Sequence, residues 1–480
     1  WDPLEFLLNE AHRIGIEVHA WFNLYKIRGK VPVGLSQPLH LTRAKRHWTV
    51  QYEEETWLDP GIPEVRSYLT SVAMDLVRNY DIDGIQFDFI RYPGRYFPDS
   101  RTHHQHGKGM DLEDWRRSNI DKFVSEFYDC AIALKPMLKV GSTPLAIYQG
   151  GSGNNTWGSY YTYYQDSQAW LLEKKHDYLA PQIYWDIGYS TEDPDFAEIV
   201  RKWKNIPAGR HIYVGIGAYK TEILREIPAQ IDTVRTNGLA GYAFFRYEDI
   251  SDFRIFEGRH QTLANIPPMS WKDSVPPLPP SNLTVSEIAT NVFHLEWIPP
   301  AGAQDGDEAR YYNIYRSSLQ KLSTDDPFNL IAITSSNDNH FVDTVKSPSG
   351  LRYYYAVTSF DKGNNESMPS NTASALVKEM LAIKRKLSNV TGLSMSVING
   401  DGAPTLVAYE LPERTFVSLN IFEQLSDMSE RLVTTITRGV QEPGIYVVGV
   451  GKVDFAQSRY VIRLKAGDTP LEQFIDLRGH

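Results

Sequence analysis

The sequence holds a single cysteine, Cys130, among 480 residues, so no intrachain disulfide can form and neither a disulfide scaffold nor a cysteine-built zinc site is available. It contains no run of about 18 apolar residues, which excludes a membrane-spanning helix. It also lacks a basic surplus. Forty-nine Lys and Arg stand against 59 Asp and Glu, and a net charge of −10 argues against nucleic acid as the main partner. No signal peptide is visible; the chain opens Trp1-Asp2-Pro3 and runs straight into an amphipathic pattern, as expected of an N-terminally trimmed chain. What the sequence does have is aromatic: Trp 11, Tyr 28 and Phe 20, with ten of the eleven tryptophans at or before Trp271.

Residues 1–266 alternate helical patterns with short apolar strands. Leu4, Leu7, Leu8 and Ala11 recur at helical spacing, and 17–23 follows as a strand. Strands at 84–90, 138–145, 179–185, 211–218 and 239–245 each follow a helical segment. Repeated units with near-continuously apolar strands predict a parallel sheet covered by helices, an α/β fold. Six strands are two short of a (β/α)8 TIM barrel; the expectation is a barrel whose first strands precede Trp1, with an open six-stranded sheet as the rival. Residues 267–282, with Pro267, Pro268, Pro276, Pro277, Pro279 and Pro280, read as a stiff linker. Beyond it the helical period stops and short alternating strands predict two all-β sandwich domains. Leu295-Glu296-Trp297-Ile298-Pro299-Pro300, Tyr312-Asn313-Ile314-Tyr315-Arg316 and Tyr353 to Ser359 resemble a fibronectin type III module over 276–377. After the basic stretch Lys384-Arg385-Lys386, residues 378–480 resemble an immunoglobulin-like C-terminal module. Neither sandwich carries a motif with chemistry; both are expected to position the barrel or to bind a surface.

Parallel barrels carry their working residues at the C-terminal ends of strands, which narrows the candidates. In Val18 to Asn23, alternation puts His19, Trp21 and Asn23 on one face, a composition suited to stacking a sugar ring and bonding its hydroxyls. In Asp83 to Pro93, Gln86 and Asp88 share a face within an apolar strand. An ionised carboxylate there must be paired, bonded or functional, and Arg91 is close enough in sequence to hold Asp88 ionised. Gln182, Tyr184 and Asp186 alternate in the same way, with Trp185 beside them as a substrate contact. Glu248, just past the strand 239–245, is a third carboxylate. Gly215 and Gly217 leave room above the barrel, ahead of Tyr219. The loop Gln149 to Asp166, with Trp157 and its tyrosines, reads as a stacking wall. His103, His104 and His106 read as a polar loop rather than a metal site, and Asp59 as a helix cap. No metal or cofactor is expected.

Taken in order, Gly15 to Asn23, Asp83-Gly84-Ile85-Gln86-Phe87-Asp88, Ala180-Pro181-Gln182-Ile183-Tyr184-Trp185 and Gly217-Ala218-Tyr219 resemble the glycosyl-hydrolase-like family 10 barrels of bacteria. The resemblance covers residues 1–266. It implies an exported, in some members lipid-anchored, glycoside hydrolase of the periplasm or cell envelope. The implied substrate is peptidoglycan glycan strands stripped of their stem peptides, with Asp88 as a principal catalytic carboxylate. Glycoside hydrolysis ordinarily needs two carboxyls, one of which keeps its proton. That assigns Asp88 as nucleophile or charge stabiliser, Asp186 as general acid and Glu248 as its reserve; an N-acetyl group on the substrate could replace the protein nucleophile. The alternative is a non-catalytic glycan-binding protein using the same cleft. Either way the expected partner is a polysaccharide, and the expected state a monomer.

Overall fold

The computed structural model describes residues 1–28, 41–150, 157–188, 194–206, 208–289, 291–345, 351–377, 393–400, 403–424, 429–441, 443–449 and 459–476. The basic stretch at 384–386 and the centre of the 149–166 loop lie outside them. The chain forms two compact units: Trp1–Val275 with Lys362–Asn365, and Pro276–Asp361 with Glu366–His480.

The first unit is built on strands β1 (His19–Asn23), β5 (Gly84–Asp88), β6 (Lys139–Ser142), β7 (Tyr178–Leu179), β8 (His211–Ile216) and β9 (Gly241–Phe244). They pair in sequence order as one parallel six-stranded sheet of half-barrel form. Among the described residues no strand pairing joins β1 to β9, and the eight-stranded closure expected from the sequence is not seen there. A small antiparallel sheet that the periodicity did not reveal follows β1: β2 (Lys26–Arg28), β3 (Thr49–Tyr52) and β4 (Glu55–Leu58), in the order β2-β4-β3. Its strands are too short to show a period.

Register explains which side chains face where. Ile85 and Phe87 of β5, and Ile212, Val214 and Ile216 of β8, point outward into the helical layer and are buried. Phe87 meets Phe123 and Phe127 of helix Leu112–Leu134 edge-on, with ring centroids 5.2 and 4.9 Å apart. The opposite face turns inward. At its N-terminal end large and small residues alternate from strand to strand. A side chain at Gly84 would collide with the His19 ring at 2.7 Å, and one at Gly141 with the Tyr178 ring at 2.4 Å. Glycine at these two positions lets His19 and Tyr178 fill the floor of the half-barrel.

The second unit is all β. Strands β10 (Ser281–Ala289), β11 (Val292–Ile298), β12 (Tyr311–Ser317), β13 (Leu330–Ser335), β14 (His340–Thr344), β15 (Arg352–Phe360) and β16 (Ala373–Leu376) form sheets β10-β11-β14 and β13-β12-β15-β16. Between them Leu295, Trp297, Tyr312, Ile314, Tyr355 and Val357 make a core. Strands β17 (Ser394–Gly400), β18 (Ala403–Leu411), β19 (Thr415–Gln424), β20 (Glu430–Gln441), β21 (Gly444–Gly449), β22 (Arg459–Ala466) and β23 (Thr469–Asp476) repeat the three-plus-four arrangement as β17-β18-β21 and β20-β19-β22-β23. Both are antiparallel sandwiches of the kind the alternation predicts.

Candidate active site

Asp88 ends β5 directly opposite Asn23 of β1. Its side chain shares the inward face with Gln86 and is buried, 6% exposed. Phe89 follows with φ of 49°, left-handed backbone that is strained for an aromatic residue. The bend lets the Phe89 amide donate to Asp88 Oδ1 at 2.7 Å, and Gln182 Nε2 donates to the same oxygen at 3.2 Å. Gln182 is itself held by the Thr143 carbonyl at 3.1 Å. Burial raises the Asp88 pKa above the usual carboxylate range; the Arg91 charge, the Phe89 amide and the Trp21 and Gln182 side chains pull it down without cancelling that effect.

The pairing expected between Arg91 and Asp88 is not made: the two form no ion pair, although the Arg91 charge still favours the ionised carboxyl. The Arg91 guanidinium instead lies over the Phe89 ring at 4.9 Å and the Tyr163 ring at 5.8 Å, and its Nη1 is buried with no hydrogen-bond partner. Burial correspondingly lowers the Arg91 pKa, against the opposing pull of Asp88.

Beside Asp88 stands an aromatic cluster. Phe245 stacks on Tyr184 at 6.1 Å and 15°, meets Trp21 edge-on at 6.2 Å, and packs against Tyr219 at 5.9 Å. Tyr219 meets Tyr184 at 5.8 Å. Trp21, Tyr219 and Phe245 are 54%, 47% and 37% exposed, so this is an apolar surface offered to solvent rather than core. The glycines of β8 and the turn after it do not leave empty space. A Cβ at Gly217 would sit 3.0 Å from Tyr184 Cβ and Cγ, and one at Gly215 2.7 Å from the Pro181 carbonyl. The room they make is occupied by residues 181–184, which carry Gln182 and Tyr184 inward.

The structure therefore brings together Asp88, Gln86, Gln182, Trp21, Asn23, Tyr184, Tyr219 and the nearby Arg91. It does not bring His19. That residue lies at the N-terminal end of β1, with Nδ1 2.8 Å from the Tyr178 hydroxyl and Nε2 3.3 Å from Glu17. Four residues of strand, about 13 Å, separate that level from Asp88. Trp185 points outward and packs on the helical core. Trp157 is exposed, and among the described residues it makes no ring contact with the cluster. Asp186 is exposed on the turn after Tyr184, and Glu248 is exposed in the turn Tyr247–Asp249, paired with Arg246 at 2.5 Å. No carboxylate is among the groups that most influence Asp88.

Of the remaining expectations, Asp59 does not cap a helix: it accepts from the Gly61 amide at 2.9 Å and the Thr102 hydroxyl at 2.6 Å, while Ile62 occupies the cap position of helix Pro63–Asn79. His103, His104 and His106 lie on helix Ser100–His106 rather than a loop; His103 Nε2 is 2.9 Å from the Met110 carbonyl and its ring packs on Trp115. In the tyrosine-rich loop, Tyr164 is buried against Tyr92 and Arg116, and Tyr163 alone reaches Arg91.

Phe245 and Phe89 were not anticipated. Phe245 could have been found by alternation, since Tyr242 and Phe244 pack on the helical core and Phe245 must face the other way. The strain at Phe89 has no signature in the sequence. A carboxyl whose pKa is raised by burial, set among an indole, two amides and an exposed aromatic surface, has the setting of a group that gives a proton to an oxygen of a ring-shaped, hydroxylated ligand.

A family model described as glycosyl hydrolase-like 10 matches residues 1–231. The chain is similar to glycosyl hydrolase YngK of Bacillus subtilis, 30% identical over 409 residues, 77% of each protein. It is similar also to glycosyl hydrolase DigH of Escherichia coli K12, 32% identical over 241 residues, which are 46% of this chain and 54% of that one. Thus the chain spans about half the length of DigH. Among solved structures, a beta-1,2-glucanase from Parabacteroides distasonis matches with 25% identity and a TM-score of 0.17 over 23% of this chain and 15% of that one.

Proposed function

We propose, from the premise that this chain belongs to the glycosyl hydrolase-like 10 family, that it hydrolyses glycosidic bonds of a bacterial glycan, with peptide-free peptidoglycan strands as substrate. The reading rests on one observation: Asp88, an inward-facing carboxyl at a strand's C-terminal end with a pKa raised by burial, beside an exposed aromatic surface. On this reading the six strands are part of a (β/α)8 barrel whose working face is at those strand ends. The two sandwiches position it on its substrate, and the site of action is the cell envelope.

In this mechanism the sugar stacks on Trp21, Phe245 and Tyr219. Asp88 is the general acid: it gives its proton to the glycosidic oxygen as the bond to the anomeric carbon breaks. The substrate's own acetamide oxygen attacks that carbon from the opposite face, which removes the need for a second protein carboxyl next to Asp88. Water then opens the cyclic intermediate and returns a proton to Asp88. Two displacements leave the anomeric configuration retained. Gln182 and Trp21 keep the carboxyl aimed.

The test is release of reducing ends from peptide-free strands. With Asp88→Asn, kcat is expected to fall about 10²- to 10⁴-fold while binding persists. Wild-type kcat/KM should decline as pH rises through the raised pKa of Asp88, since the acid must be protonated. Full activity in the variant would remove Asp88 from the chemistry. An inverted product would remove the acetamide. Binding of the strands with no product from the wild type would favour a non-catalytic glycan-binding protein.

A further inference from the structure

We infer that Arg91 forms a subsite for a carboxylate carried by the glycan, so that the cleft beside Asp88 selects acidic over neutral strands; this rests on the glycan reading above. Between the small antiparallel sheet and the chain following β5 lies a cleft of about 460 Å³, its walls including Lys26, Glu55, Trp57, Phe89, Arg91 and Tyr163. Within it the cations are not equivalent. The Lys26 ammonium is held by Glu55 at 2.5 Å and lies 4.6 Å from the centre of the Phe89 ring. Glu55 is further fixed by the Trp57 indole N–H at 3.1 Å. Arg91, by contrast, forms no ion pair among the described residues, and its buried Nη1 has no hydrogen-bond partner there.

Arg91 is half-buried, and a buried donor such as its Nη1 left without an acceptor is costly, which calls for a group that supplies one. Its neighbour Asp88 does not complete it: the two form no ion pair, and Asp88 Oδ1 accepts instead from the Phe89 amide and Gln182 Nε2. Arg91, Arg95 and Lys26 against Glu53 and Glu55 leave the cleft lining one positive charge in excess, in a chain whose net charge is −10. The planar fork of an arginine fits a carboxylate through two parallel hydrogen bonds, a geometry that a sugar hydroxyl cannot match. The Phe89 and Tyr163 rings leave the guanidinium edge as its donating surface. Peptide-free peptidoglycan presents such a group, the lactyl carboxylate of its muramic acid residues. A carboxylate seated on Arg91 sets which glycosidic bond lies over Asp88.

The experiment compares peptide-free strands with the same strands after their lactyl carboxyls have been converted to amides. Wild-type kcat/KM is expected to fall about 10- to 100-fold on the amidated strands, the value of a hydrogen bond to a charged group. Arg91→Gln should lose a similar factor on native strands and little more on amidated ones, because the two changes remove one interaction. Equal turnover of both strands by the wild type overturns the inference. So does an Arg91→Gln defect of undiminished size on amidated strands, which would make Arg91 a support for Asp88 alone. If the wild type cleaves neither, binding of the two strands to Asp88→Asn decides: preference for the native strands keeps the subsite while the hydrolase reading falls, and equal or absent binding overturns the subsite.

Discussion

Replacing Glu17 with Gln should destabilise the first unit by roughly 3 kcal/mol and leave catalysis alone. Glu17 stands just ahead of β1, 11% exposed, and both its oxygens accept from the Lys139 ammonium at 2.8 Å; Lys139 is 2% exposed. Burial pushes the Glu17 pKa up, but the hydrogen bond from His19 and the charge of Lys139 outweigh it and bring it from 4.5 down to about 2. A depression of that size corresponds to roughly 3 kcal/mol at neutral pH. The independent figure for removing one partner of a buried pair, about 3–5 kcal/mol, agrees with it. Because the folded pKa lies below the unfolded one, the contribution is complete above pH 4.5 and is lost as pH falls toward 2.

Urea unfolding of the full chain, followed by tryptophan fluorescence, reads this directly, since ten of eleven tryptophans lie at or before Trp271. The wild-type advantage should be full at pH 7 and shrink steadily between pH 4.5 and 2. At 25 °C, with the variant still folded, kcat/KM should be unchanged, because the pair sits at the N-terminal strand ends, about 13 Å from Asp88 along the strand. Equal unfolding midpoints at pH 7 would refute the electrostatic account. Loss of activity in the folded variant would refute the division of the sheet into a supporting end and a working end.

The other predictions concern single contacts. Phe245→Ala removes the ring that Trp21, Tyr184 and Tyr219 share, and KM for the glycan should rise about 3- to 10-fold, from an aromatic contact worth roughly 0.5–1.5 kcal/mol. Losing those contacts should also cost about 1–3 kcal/mol of stability, so KM is read on the folded variant; a KM equal to the wild type's would show that the sugar does not stack there. Asp121 is raised by burial to about 7, against the opposing hydrogen bond from the Trp170 indole at 2.7 Å. Its folded pKa exceeds its unfolded one, so stability falls as pH rises from about 4 to 7. Asp121→Asn, which keeps an acceptor for Trp170, should raise stability at pH 8 by about 1–2 kcal/mol and have no effect at pH 3. A pH-independent difference between variant and wild type would show that the carboxyl's charge is not the cause.

What the sequence disclosed about the site follows from what alternation can and cannot encode. A polar residue inside an apolar strand stands out, and Gln86, Asp88 and Gln182 were found because β5 and the chain after β7 keep a two-residue period through them. The period breaks after Tyr184. Regular pairing there is confined to Tyr178–Leu179 and bridges at Gln182, so placing Asp186 on the same face had no strand beneath it. Alternation also has no direction along the strand. His19 and Asn23 share a face with Trp21, yet His19 is locked against Tyr178 and Glu17 at one end while Asn23 lies level with Asp88 at the other. Only the register of β1 on β5 separates them, and register is a long-range property absent from either segment alone. Phe245 was hidden for the opposite reason: an apolar residue in an apolar strand looks like core, whereas an open half-barrel turns part of that face to solvent. Arg91 shows the third limit. Its place three residues after Asp88 correctly suggested that the two charges interact, but whether proximity becomes an ion pair depends on the bend at Phe89. That bend sets the Phe89 ring beneath the guanidinium and leaves its Nη1 unpaired.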